Sequence, residues 1–205
     1  MITEHFPRDT DPAVAGRHNT KGIIMTRLKE KYIKEIIPQM KEKFGYKNDL
    51  AVPKLEKVTL NVGIPSAKRD EKFLELVENT LTRISGQKPV FTKAKKAISA
   101  FKIRQGNIVG AKVTLRGERM YDFVDKLVNI ALPRVRDFRG IKKTAVDKQG
   151  NLNIGFKEHI AFPEIDPNEV EVIHGLEVAV TTTAKDYEQG FELLKLLGFP
   201  FQKQS

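Results

Sequence analysis

Polar side chains recur at every second position in two short segments of this 205-residue chain. Thr59 and Asn61 alternate with apolar residues in the first segment, and Thr114 and Arg116 do so in the second. Because successive side chains of a β-strand point to opposite faces, each segment predicts a strand with one apolar and one polar face. Amide and hydroxyl groups hydrogen-bond to 2′-hydroxyls and phosphate oxygens, and a guanidinium binds phosphate through two N–H groups. We interpret the four residues as candidate contacts to structured RNA that is recognised by its backbone shape.

The same alternation also fits an ordinary solvated sheet face, and the charge distribution favours RNA over that alternative. The chain has a net charge of +10, and residues 82–119 contain ten Lys or Arg and a single acidic residue, Glu118. Residues 151–192 contain two Lys and nine acidic residues. A basic block of this kind is typical of a surface that binds a polyanion. The polar faces carry no aromatic pair, which disfavours stacking of single-stranded bases on the sheet.

Part of the basic block predicts a loop rather than a regular element. The stretch 91–104 has weak periodicity, has no acidic residue, and mixes cations with Phe101 and Ile103. A long cationic loop with little to pack is typically a binding element, or is mobile until RNA neutralises it. We predict a short strand and a long basic loop within 87–105, and a second basic loop at 134–139.

Enzyme signatures are missing from the sequence. It contains no Gly-Lys phosphate loop, no Gly-x-Gly-x-x-Gly motif and no Gly-x-Ser-x-Gly motif. The absence of Cys excludes disulfides, thiolate metal sites and a cysteine nucleophile. The four His share no ligand spacing, and the carboxylates of 158–171 are typical of a solvated acidic surface rather than of an acid/base pair. We predict a non-catalytic protein with no cofactor and no metal site.

The composition predicts a folded domain that follows a short extension. Hydrophobic residues make up 40% and charged residues 30% of the chain, and no stretch approaches the ~18–20 apolar residues that span a bilayer. Residues 1–24 lack periodicity and the apolar core of a secretory signal. We therefore predict a flexible N-terminal extension over 1–24 and a single RNA-binding domain over 25–205.

Apolar periodicity places helices and strands along that domain. We predict helices at 26–44, 70–84, 118–132 and 187–197. Pro38 should kink or split the first helix, and Pro133 should end the third. We predict strands at 57–63, 109–117 and 176–182, and a hairpin within 144–156. The resulting fold class is α+β, an antiparallel β-sheet with helices packed on one face and an open polar face for RNA.

Two other functions remain open at this point. The 26–44 helix is amphipathic and carries lysines for lipid headgroups, as a membrane-surface protein would, although packing against a core explains the same pattern. An RNA-modifying enzyme would need a cofactor pocket that the sequence does not show.

Several long motifs, in order, resemble the bacterial-type large-subunit ribosomal protein L-five family. They are ISGQKPVFTKAKK at 84–96, KVTLRGERMY at 112–121, ALPRVRDFRG at 131–140, FPEID at 162–166, TTTAK at 181–185 and LGFPF at 197–201. The resemblance runs from residue 25 to residue 201, so that 1–24 lie outside it.

The resemblance implies a structural component of the large ribosomal subunit, located in the cytoplasm, with several RNA and protein partners. These are 5S rRNA, 23S-type rRNA, the P-site tRNA, the neighbouring 5S rRNA-binding proteins of the central protuberance and a small-subunit head protein, with no membrane. The family's motifs assign 5S rRNA binding to Asn61, Gln87, Thr114 and Arg116. They assign the tRNA-facing loop to Lys88, Lys93, Lys95, Lys96, Lys102 and Arg104. The intersubunit contact is assigned to Arg134, Arg136 and Arg139, with help from the acidic 158–171 stretch.

Overall fold

A computed structural model describes residues 26–65 and 70–202, so that the extension predicted over 1–24 lies outside the described residues. The helices are α1 (Arg27–Lys31), α2 (Ile37–Phe44), α3 (Glu71–Ser85), α4 (Gly117–Lys126), α5 (Leu132–Arg134) and α6 (Tyr187–Leu196). The strands are β1 (Leu55–Gly63), β2 (Val90–Lys93), β3 (Ile108–Leu115), β4 (Leu152–Phe156) and β5 (Leu176–Thr182).

The five strands form one antiparallel sheet in the order β2-β3-β1-β5-β4. β1 lies at its centre and pairs with β3 on one side and β5 on the other. The predicted α+β fold with an antiparallel sheet is confirmed.

The two faces of the sheet differ as the alternation predicts. Val58, Leu60 and Val62 of β1 are buried in the core, whereas Thr59 and Asn61 between them are half-buried. The apolar face packs against the helices, whose buried side chains complete the same core. The polar face has no covering helix among the described residues, and its side chains retain solvent exposure on all five strands.

Two helices pass through a proline by widening one turn. A π turn over Tyr32–Ile36 joins α1 to α2 ahead of Pro38, and a second over Leu127–Ala131 joins α4 to α5 ahead of Pro133. In the first, the Ile37 N–H donates to the carbonyl of Tyr32, five residues back. This wider spacing accommodates a ring that has no N–H of its own. The π turn interrupts the α-helical hydrogen bonding of the first helix ahead of Pro38, and the helix continues to Phe44. The third helix ends at Arg134, one residue after Pro133 rather than immediately before it as predicted.

The predicted hairpin within 144–156 is mostly absent. Val146 and Leu152 form one isolated bridge, because residues 143–145 form a 3₁₀ turn and β4 pairs with β5 instead. The predicted turn between them is present, since the Asp147 N–H donates to the Asn151 carbonyl over 2.8 Å.

This turn packs against α6 through two glycines. A Cβ atom placed on Gly190 would lie 2.2 Å from the Cα atom of Gly150 and 2.5 Å from its carbonyl oxygen. The Thr182 hydroxyl donates to that carbonyl over 3.0 Å, and the Thr182 N–H donates to the Asn151 side chain over 3.0 Å. The end of β5, the turn and α6 are therefore held together at a point where only glycines fit.

Two buried histidines stack on each other, one within the acidic stretch 158–171 and one just after it. The rings of His159 and His174 are 4.0 Å apart and nearly parallel, and the ring of Phe73 from α3 packs edge-on against His174. The His159 Nδ1 atom lies 3.2 Å from the carbonyl oxygen of His174. Burial lowers the pKa of His159, while the His174 backbone acts in the opposite direction more weakly.

Candidate nucleic-acid interface

The polar face of the sheet brings together residues that are far apart in the sequence. Thr59 lies directly opposite Thr114 on β3, and Asn61 lies opposite Lys112. Opposed residues of antiparallel strands have Cβ atoms about 4.5–5.5 Å apart. Two hydroxyls, an amide and an ammonium group therefore lie within one small patch at the centre of the sheet.

Asn61 also faces an acidic residue on its other side. Glu177 of β5 lies opposite Asn61, and the Asn61 amide donates to its carboxylate over 3.4 Å. The sequence alone did not identify Glu177, because its partner strand is 116 residues away in the chain. The alternation of 176–182 was the available signal, since it places Glu177 on the polar face.

The other two predicted 5S rRNA contacts lie at the rim of this face. Arg116 follows the end of β3, is exposed, and occupies the extended position that precedes α4. Gln87 is half-buried and follows the left-handed Gly86 that ends α3. Its N–H donates to the Ser85 hydroxyl over 3.2 Å. The edge strand β2 begins three residues later and pairs with β3, so Gln87 lies close to that edge of the sheet.

Two lysines add positive charge to the polar face itself. Lys112 is exposed and Lys57 is half-buried at the register position opposite Thr181. Both follow from the predicted alternation, but neither was among the predicted contacts. Phosphates that approach this face meet these charges together with the guanidinium of Arg116.

The predicted tRNA-facing loop is an exposed protrusion between β2 and β3 with backbone hydrogen bonds of its own. At its base, the Ala94 N–H donates to the Asn107 carbonyl over 2.8 Å and the Gly106 N–H donates to the Ala94 carbonyl over 2.9 Å. Five predicted cations are exposed along it: Lys93, Lys95, Lys96, Lys102 and Arg104. The sixth, Lys88, lies outside the protrusion and pairs with Glu78 of α3 over 3.1 Å.

The three arginines of the second basic segment do not all lie in the loop that was predicted. Arg134 is the last residue of α5 rather than a loop residue, and Arg136 and Arg139 follow in an irregular segment. All three side chains are exposed. Asp137 between them has a positive φ of 54°, which marks a sharp turn of the backbone.

Part of the acidic stretch pairs within the molecule. Glu164 pairs with Lys126, and Glu169 pairs with Arg83 over 2.8 Å. The Lys126 ammonium also donates to the Ile84 carbonyl over 2.8 Å, at the C-terminal end of α3. These two carboxylates therefore stabilise the position of α3, the helix that precedes Gln87. The prediction of a solvated acidic surface did not include this structural role.

Known proteins match the chain along most of its length. The family models for ribosomal protein L5 and for the C-terminus of the same ribosomal family match residues 48–104 and 108–201. The large ribosomal subunit protein uL5 of Thermoanaerobacter sp. (strain X514) is 54% identical over 179 residues, which is 87% of this chain and all of that relative. The chain belongs to the ribosomal protein L5 family. The uL5 proteins of Caldanaerobacter subterraneus subsp. tengcongensis and Halothermothrix orenii are 55% and 51% identical over the same shares of each chain.

Membership of the ribosomal protein L5 family decides the class of protein. Its members are structural, non-enzymatic ribosomal components, so the prediction of a non-catalytic protein is confirmed. In residues 26–65 and 70–202, no helix is long and apolar enough to cross a membrane. The apolar face of the first helix lies in the core through Leu28, Tyr32 and Met40, as packing rather than lipid binding requires.

Proposed function

We propose that this L5-family protein is a non-catalytic component of the large subunit of the cytoplasmic ribosome and binds 5S rRNA through the polar face of its sheet. Asn61, Gln87, Thr114 and Arg116 are the proposed contacts. The observation that carries the proposal is that Thr59 and Asn61 lie opposite Thr114 and Lys112 on a sheet face with no covering helix among the described residues. Such a flat, hydrogen-bonding and cationic surface fits the wide, shallow minor groove of helical RNA.

The remaining partners are proposed from the family and the charge of two other surfaces. The basic protrusion contacts the P-site tRNA through Lys93, Lys95, Lys96, Lys102 and Arg104, with Lys88 beside its base. Arg134, Arg136 and Arg139 face the small-subunit head protein across the bridge. 23S-type rRNA and the neighbouring 5S rRNA-binding proteins complete the central protuberance around it.

Residues 25–205 are proposed to act as one RNA-binding domain. The two matched segments divide the sheet between them, since β1 and β2 fall in the first and β3, β4 and β5 in the second. β3 pairs with both strands of the first segment. Neither segment therefore has a complete RNA-binding face by itself.

Gel shifts of the full chain with 5S rRNA and with an unrelated RNA of equal length, across a salt series, test the proposal. The wild type should bind 5S rRNA selectively at moderate salt. Asn61→Ala combined with Arg116→Ala should weaken that binding at least tenfold. The double variant lacks the Asn61 amide and the Arg116 guanidinium, whose hydrogen bonds to RNA are worth ~1–3 kcal/mol each.

The matched control changes the same residue types on the helical side. Asn129 and Arg27 are exposed and both bind Asp125, so Asn129→Ala with Arg27→Ala removes only a surface cluster. This control should bind 5S rRNA like the wild type. Equal affinities of the two double variants, or equal binding of both RNAs by the wild type, would contradict the proposed face.

A further inference from the structure

An exposed aromatic ring lies at the tip of the basic protrusion. Phe101 is 66% exposed and its neighbour Ile98 is 46% exposed. Neither packs against the hydrophobic core in the described part of the chain. The ring therefore contributes little to folding, although exposing it to water is unfavourable.

The backbone holds this ring in place. Ile98 and Ile103 exchange two hydrogen bonds, in which the N–H of each donates to the carbonyl of the other over 2.8 and 3.1 Å. The Lys102 N–H donates to the Ser99 carbonyl over 2.9 Å and closes the tip. Lys102 has a positive φ of 51°, a conformation that non-glycine residues adopt rarely and that often marks functional loops.

The surroundings of the ring favour nucleic acid as its partner. The stretch 93–107 contains five cations and no acidic residue, and those cations are exposed on both sides of Phe101. An acidic protein surface would pair with the cations, and an apolar protein surface would cover the ring. However, cations beside an exposed aromatic ring are the combination that binds phosphates and stacks on a base.

We propose that Phe101 stacks on an exposed nucleobase face of the P-site tRNA, with the lysines of the protrusion binding the phosphates beside it. This inference rests on the proposed tRNA-facing role of the loop and adds a stacking contact to it. It also divides the RNA chemistry of the chain in two. The sheet reads backbone shape without aromatic side chains, whereas the protrusion adds one base contact.

The test measures tRNA affinity of large subunits assembled with full-length variants, at several salt concentrations. Phe101→Ala should weaken P-site tRNA binding by roughly 5- to 100-fold without changing the salt slope, because stacking releases no counterions. Phe101→Tyr should bind like the wild type, and Phe101→Leu should be nearly as weak as Phe101→Ala. Lys95→Gln with Lys96→Gln should instead lower the slope by about 0.7–0.9 for each phosphate that the variant no longer binds.

Each outcome separates the stacking contact from its alternatives. Wild-type affinity of Phe101→Ala, or full affinity of Phe101→Leu, would overturn stacking. Loss of 5S rRNA binding in Phe101→Ala would assign the ring to rRNA, and loss of a neighbouring ribosomal protein with tRNA binding unchanged would assign it to a protein. If the lysine variant also leaves tRNA binding unchanged, the tRNA-facing role itself fails. Unchanged unfolding midpoints of the free variants are expected, since the ring lies outside the core.

Discussion

Substitution of Gly190 by Ala tests the contact between α6 and the turn of residues 147–151. A methyl group on Gly190 would lie 2.2 Å from the Gly150 Cα atom and 2.5 Å from its carbonyl oxygen, and both atoms belong to backbone. The two segments must therefore separate by more than about 1 Å to reach ordinary van der Waals distance. Gly150 itself has a φ of +79°, a backbone conformation that glycine adopts without strain and other residues adopt rarely.

The expected loss in the free energy of unfolding combines two destabilising contributions and one that offsets them. Overpacking of a close contact costs about 1–3 kcal/mol. Moving the turn also weakens the Thr182 hydroxyl bond to Gly150, worth about 1 kcal/mol. Alanine is favoured over glycine in a helix by up to about 1 kcal/mol, which offsets part of the loss. We expect Gly190→Ala to lower the free energy of unfolding by roughly 1–3 kcal/mol.

Urea unfolding measures this change in the free energy of unfolding. The transition is monitored by circular dichroism because the chain has no Trp. Gly155→Ala is the matched control, since a Cβ atom there meets nothing within 4 Å. The control should be as stable as the wild type or slightly more stable. Equal midpoints for the two variants would refute the steric argument.

Three further predictions concern the buried histidine, the acidic residue of the proposed RNA face and the lysine of α4 that binds the end of α3. Because burial lowers the pKa of His159 in the folded state, the unfolded chain binds the proton first as the pH falls below about 6.5. The free energy of unfolding should therefore fall by up to about 1.4 kcal/mol per pH unit below that pH. His159→Asn should therefore lose less stability between pH 7 and pH 5.5 than the wild type in urea titrations, and equal losses would contradict this. Glu177→Gln removes the carboxylate beside Asn61. It should tighten binding to unrelated RNA by on the order of 0.2–1 kcal/mol and reduce 5S rRNA selectivity in gel shifts, whereas unchanged selectivity would count against a role for the charge. Lys126→Met removes the donor to the Ile84 carbonyl and should lower the free energy of unfolding by about 1–3 kcal/mol in urea, with no change expected only if water replaces that donor.

Local patterns predicted much of the fold and the polar face of the sheet. The strand predicted at 176–182 matches β5, and Gly45 and Gly86 end their helices in the left-handed conformation that glycine favours. The alternation around Asn61 and Thr114 placed them on the polar face. That they lie side by side depends on strand order, which the alternation alone does not contain.

What the sequence did not predict depends on contacts between distant segments. Glu177 lies beside Asn61 only because β5 pairs with β1, and Glu164 pairs with Lys126 only because its loop packs on α4. The π turn ahead of Pro133 also escaped prediction, because a proline normally indicates the end of a helix. Spacing within one segment does not determine such pairings.

The central position of β1 has a consequence for the order of events during synthesis. Its partner β5 ends at residue 182, so β1 emerges from the ribosome more than 100 residues before its second neighbour is made. Until then, Asn61 lies on an edge strand and the proposed RNA-binding face lacks two of its five strands. We therefore expect the proposed sheet face to be completed late, after β5 has been synthesised, because such distant strand pairing is slow.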